Sequence, residues 1–263
     1  MAKKEVAVVS AGELAVLDDD LFSEGTGLEA LRTEDYALPF LRVIQSNSPQ
    51  IKKSEPTKYI EGAEEGDLFN TLTKQVFHGS EGTLVVPCAY VKKFIEWIPI
   101  DQGGGLVRDD HPASIVNQCT RSADNRQLLL DNGNEIVETS QYFLMLVDNE
   151  EEPEQVLLSC TSTQLTFARR WNTMLRTAHV KNNAGESVLA PMFAYTYRIK
   201  TGIQSNNRGS WFGLSVDRDR PTPMPIAKLS KEFMVAARAG EVNVKQESSI
   251  DSPTTSMDED IPF

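Results

Sequence analysis

Only three histidines and three cysteines occur in 263 residues, which leaves little for metal or thiol chemistry. Cys88, Cys119 and Cys160 are far apart and odd in number. No Cys-x-x-Cys pair is present, which argues against a disulfide framework and against a zinc ribbon. Cys88 and Cys160 stand inside apolar runs, where a reduced cysteine behaves as a small core residue. His78, His111 and His179 are isolated, and pairing His111 with Cys119 or His179 with Cys160 matches no metal-ligand spacing. Gly-x-Ser-x-Gly and His-Glu-x-x-His are both missing. Gly103-Gly104-Gly105 lacks the Gly-Lys-Ser/Thr that completes a phosphate-binding loop, and reads as a hinge or hairpin tip. Asp109-Asp110 lacks the spaced third acid of a metal-dependent nuclease and reads as a solvated loop. We therefore expect no catalytic residue, no metal, no cofactor and no enzymatic activity. No apolar run approaches the roughly 20 residues that span a bilayer. The apolar residues near the start are too few for a signal peptide, so the expected location is the cytoplasm, without membrane contact.

What the chain does have is segregated charge. The net charge is −12, which looks wrong for a nucleic-acid binder until it is divided. Residues 1–35 carry −6, residues 36–158 carry −9, residues 159–240 carry +8 and residues 241–263 carry −5. One stretch is strongly basic in an acidic chain, and both ends are acidic. Such asymmetry says more about partners than the overall charge does.

The pattern along the chain predicts an acidic arm over residues 1–35, one mainly β domain with a few helices over 36–240, and a linker with an acidic tip over 241–263. Residues 38–45 read as an extended apolar segment, and residues 62–70 as a loop entering a short strand. Residues 83–98 form the clearest strand. Its first half is apolar on both faces, and Pro87 argues for an edge or a bulge because it cannot donate to a ladder. Residues 140–147 and 155–161 read as a hairpin around an acidic turn. A helix capped by Ser162 or Thr163 is expected to run to about Ala178, with Leu165, Ala168, Trp171 and Leu175 at helical spacing. A second hairpin joins residues 191–201 to 210–216 through a loop over 202–209. A closing helix is expected over 226–239. Beyond Gly240 the composition cannot bury a core and is expected to stay disordered.

Binding single-stranded nucleic acid needs cations for phosphates and aromatic faces on which bases stack. The second hairpin carries Tyr197, Arg198, Lys200, Arg208 and Trp211. The long strand carries Lys92, Lys93 and Trp97, and the first helix adds Arg169 and Arg170. These ten residues are the candidate DNA contacts. Taken singly, each aromatic is better explained by core packing and each basic residue by a solvated surface; the combination with the acidic tip is what favours binding.

The last residues are Met257-Asp258-Glu259-Asp260-Ile261-Pro262-Phe263. Three adjacent acids repel one another in any compact element. The segment reads as a peptide ligand: Phe263 and Ile261 would fill an apolar pocket, and basic groups of a partner would meet the α-carboxylate and the acids Asp258, Glu259 and Asp260. Pro262 limits the conformations lost on docking. This end resembles the tip of bacterial single-stranded DNA-binding proteins, Asp-Asp-Asp-Ile-Pro-Phe, with one Asp-to-Glu change. Residues 39–45, 59–70 and 85–97 are similar to a group of phage replication-region proteins usually assigned as single-stranded DNA-binding proteins. The resemblance implies an OB-fold-like β-barrel and a role in coating single-stranded DNA during replication, recombination or repair. It also implies that the tip recruits replication and recombination proteins, such as a polymerase, a primase or helicase, an exonuclease or a recombination mediator. A phage protein of this kind would work in the host cytoplasm. The acidic tail can also reach the basic stretch and compete there with DNA, and association with further copies of the chain is compatible with all of this. The rivals are a strand-annealing recombination protein, and an adaptor or decoy that captures host proteins without binding DNA.

Overall fold

The computed structural model describes residues 37–123, 127–206 and 209–246, together with Gly27, Ala30 and Asp35. Residues 1–36 and 37–263 divide into two units, and every element named below belongs to the second.

Three short strands open the body: β1 (Leu41–Val43), β2 (Leu68–Asn70) and β3 (Val76–Phe77), paired in that order as a small antiparallel sheet. The main sheet starts with β4 (Thr83–Ile98), the strand expected from the residue pattern, and β5 (Gly105–Arg108), which pairs with its far end. The three glycines before and within that turn all have positive φ, which L-residues adopt with strain. Then come β6 (Thr120–Arg121), β7 (Leu128–Leu129), β8 (Glu135–Leu146) and β9 (Glu154–Thr161). Helix α1 (Gln164–Arg176) follows, then a small hairpin of β10 (His179–Lys181) and β11 (Ser187–Leu189). Two long strands, β12 (Tyr195–Asn206) and β13 (Gly209–Pro221), and helix α2 (Met224–Ala239) complete the body. The large sheet has the order β13-β12-β4-β8-β7-β6, with β5 added to β4 and β9 to β8. The molecule is mainly β with helices on both faces of one long sheet.

Pro87 sits in the middle of this sheet and not at an edge. β4 pairs with β8 from Val85 to Trp97, and the register shifts between Pro87 and Ala89. A bulge accommodates the missing N–H and strengthens the local twist. Because side chains alternate across a strand, β4 feeds two cores. Val85 joins Tyr142, Leu144, Tyr197, Ile199 and the α1 residues Phe167, Ala168 and Trp171 on one side. Leu84, Val86 and Cys88 join Phe143, Met145 and the α2 residues Ile226 and Phe233 on the other.

Trp171 is wholly buried. Its ring stacks on Tyr142 at 4.5 Å between centroids and meets Tyr197 edge-on at 5.8 Å. The Tyr142 hydroxyl lies 2.9 Å from the Ala168 carbonyl, which fixes the helix lengthwise. Thr163 stands at the N-cap as expected, but its side chain makes no capping bond.

The core contacts continue past the expected boundary at Gly240. Gly240 ends α2 with a positive φ. After it, Val242 and Val244 pack on the α2-side core. The Leu38 amide donates to the Asn243 carbonyl at 3.1 Å, and Gln141 Nε2 donates to Gln246 Oε1 at 3.3 Å. The chain therefore enters and leaves the body side by side.

Trp171→Ala removes the ring that three aromatic neighbours share. It should lower unfolding stability by about 3–5 kcal/mol, measured by urea titration.

Candidate nucleic-acid interface

Cross-strand partners share a face of a sheet, so the register assigns each candidate to a side. Arg198 stands opposite Leu84 and Asp217, and Lys200 opposite Ser215. Trp211 stands opposite Gln204 on the same side. These three belong to the face that α2 covers. Tyr197 stands opposite Val85 and Arg218 and belongs to the α1 face. The first helix presents Arg169, Arg170 and Arg176 outward while Phe167, Ala168 and Trp171 turn inward. The expected groove is thus split between two faces.

The aromatic candidates are mostly core. Tyr197 is wholly buried and Trp97 is 6% exposed. Burial pushes the Tyr197 phenol above its ordinary value. Trp211 is half-buried and its indole Nε1 is enclosed without a partner. No aromatic side chain among the described residues is exposed. The expectation that Tyr197 and Trp97 present faces to bases is corrected: Tyr197 packs in the core against Trp171, and Trp97 lies on a stretch of β4 that is buried on both faces.

The basic candidates separate by their partners. Lys92 Nζ lies 2.6 Å from Glu138, and Lys93 Nζ lies 2.7 Å from Asp109. Arg198 lies 3.9 Å from Asp219 and donates to the Glu81 carbonyl at 3.4 Å. Arg220 bridges Glu150 and Asp219. By contrast, Arg169, Arg170 and Arg176 enter no ion pair among the described residues, and α1 contains no acidic residue. Arg218 lies over the Tyr195 ring at 4.5 Å, on the same face of the sheet as α1. Arg176 and Arg218 were not among the sequence candidates. Their signal was present in the lack of acids along α1 and in the cross-strand position of Arg218. Arg208 and the tip residues Asp258, Glu259, Asp260, Ile261, Pro262 and Phe263 lie outside the described residues.

One cluster has the residue types of acid–base chemistry. Glu96 Oε2 lies 2.7 Å from His111 Nε2, and Glu96 Oε1 accepts from Asn134 Nδ2 at 2.6 Å. The Asn134 amide holds the carboxyl below the ordinary carboxylate range, against the opposing effect of burial, and His111 adds to the lowering. The His111 amide also donates to the Phe94 carbonyl at 2.9 Å. Every contact ties β4 to the loops on either side of it, so the cluster reads as a bracket. Among the described residues no set of three or more histidines, cysteines or acids could hold a metal ion. Burial pushes the Cys88 thiol up to about 12 and the Cys160 thiol higher still, so neither is a nucleophile near neutrality. No helix among the described residues is long and apolar enough to cross a membrane.

Together these features define a mainly β protein with one helix whose outer side is basic and unpaired. The model of a family described as Pam3 phage gp34-like protein matches residues 4–243. The chain belongs to that family and is a phage protein. No curated protein and no solved structure matches it.

The bracket generates a pH prediction. A carboxyl whose folded pKa is depressed contributes stability above its unfolded value of about 4.3, and that contribution is lost as pH falls through the lower folded value. Asn134→Ala should cost about 1–3 kcal/mol near pH 7. The difference from the wild type should shrink as the pH drops below about 4. Urea midpoints at the two pH values check this, and an equal gap at both contradicts it.

Proposed function

We propose that this phage protein binds single-stranded DNA without sequence preference. The observation that carries the proposal is the outer side of α1: Arg169, Arg170 and Arg176 unpaired, no acid on the helix, within the one strongly basic stretch of an acidic chain. Exposed guanidinium groups without carboxylate partners suit phosphate oxygens, which they can contact two at a time. In this reading the curled sheet with its bulged long strand is an OB-like barrel, and strands opened in replication, recombination or repair lie across its α1 side. The absence of exposed aromatics among the described residues makes phosphate contacts, not base stacking, the main source of affinity. The C-terminal tip, read from its sequence alone, recruits replication and recombination proteins in the host cytoplasm. The body has no catalytic role in this account.

The affinity should fall steeply with salt, because neutralised phosphates release counterions. Each phosphate contact on a single strand contributes about −0.7 to the slope of log K against log salt, so the double variant Arg169→Ala/Arg170→Ala should flatten it by about 1.4. Lys93→Ala, which loses a cation already paired with Asp109, should change it less. An unchanged slope in the double variant refutes the α1 interface.

Phe263→Ala should weaken binding to a bacterial protein that reads such tips by about 2 kcal/mol or more, since the ring is the pocket anchor. DNA affinity should not fall. Equal partner affinity in calorimetry contradicts the pocket model.

A further inference from the structure

The β12–β13 pair runs on well past the sheet that holds it. β4 pairs with β12 only over residues 197–199, whereas β12 and β13 stay in register as far as Asn206 opposite Gly209. The loop expected over 202–209 is therefore largely ladder. Its root is fixed from several directions. The Thr201 amide donates to the Gly79 carbonyl at 2.9 Å, and the Thr201 hydroxyl donates to the Gly66 carbonyl. Gln45 behaves like a strand residue toward Phe212: its Nε2 donates to the Phe212 carbonyl at 2.8 Å and its Oε1 accepts the Phe212 amide at 3.0 Å. The Phe212 ring fills the place where a Cβ on Gly66 would stand.

Beyond this root the ribbon is solvated. Gly202, Gln204, Ser205, Asn206, Gly209 and Ser210 are all exposed. Among them Ile203 is held with 74% of its surface in water. Ile203 stands opposite Phe212 and so points to the α1 face, the side that carries Arg169, Arg170, Arg176 and Arg218. No acidic residue occurs in the sequence between Glu186 and Asp217. A single exposed aliphatic is ordinary on a protein surface. This one differs in its setting: a protruding, firmly rooted, acid-free ribbon, with hydroxyls and amides around it and the half-buried Phe212 as its apolar cross-strand neighbour, too small a surface for a protein-docking patch.

We propose that the ribbon is an unstacking wedge, with Ile203 entering between adjacent bases of a strand held by the α1-side arginines. Apolar side chains inserted between base steps unstack them, and neighbouring Ser and Asn side chains bond sugar and phosphate oxygens. Ser205 and Ser210, which share the face of Ile203, fill that second role. The inference rests on the single-stranded DNA reading and adds a mode of contact to it.

The test uses the full chain and a single-stranded oligonucleotide with 2-aminopurine inside a stacked purine run. Wild-type protein at saturation should raise the fluorescence several-fold as the probe unstacks. Ile203→Ser should keep affinity within about threefold, because arginine contacts dominate binding, and should lose most of the rise. Ile203→Leu should restore it. Ile203 is exposed, so neither substitution disturbs a core, and unchanged thermal unfolding checks that. A full rise with Ile203→Ser overturns the wedge and leaves DNA binding standing. No binding of the wild type to the oligonucleotide overturns the DNA reading itself.

Discussion

Trp171 occupies the junction on which the rest of the body depends. It stacks on Tyr142 of β8 and meets Tyr197 of β12, so one indole ties two strands on either side of β4 to the helix above them. Offset and edge-on aromatic contacts add to area burial and fix relative orientation. With α1 held there, its opposite side must face solvent, and the arginines at 169, 170 and 176 are on it. The packing that builds the core is what displays the charge.

The same junction explains why base stacking is a poor description of the described surface. Tyr142, Tyr197 and Trp171 are buried together, Phe143 and Phe233 pair on the other face, and Trp97 lies inward on β4. In the proposed reading, with the aromatics committed inside, the exposed cations carry the contact with a polyanion. Some of those are neutralised in place, as Lys92 by Glu138 and Lys93 by Asp109.

Much of the fold was legible in the residue pattern. The strand over residues 83–98 shows itself by a run that begins apolar on both faces, and α1 by the spacing of Leu165, Ala168 and Trp171. Pro87 correctly signalled a bulge but not an edge, because a strand can stay paired on both sides when the register slips by one residue. The ribbon over residues 202–206 looks like a loop in the sequence for a physical reason. Gly, Gln, Ser and Asn have little strand propensity, and their ladder is imposed by β13 and by the root at Gln45, Gly66 and Thr201. The candidate site was less legible. Alternation showed that Tyr197 and Arg198 face opposite ways, but which side was interior depended on Trp171, a long-range contact. The extension of the core past Gly240 was hidden too, since Val242 and Val244 are isolated apolar residues in a polar stretch.

The central claim is that an acidic protein binds single strands through a basic side built around α1. The most direct measurement is fluorescence anisotropy of a labelled oligo-dT against the full-length protein and its triple variant Arg169→Ala/Arg170→Ala/Arg176→Ala, near physiological salt. The account predicts saturable binding by the wild type and markedly weaker binding by the triple variant. Absence of wild-type binding, or equal affinity of the two proteins, contradicts it.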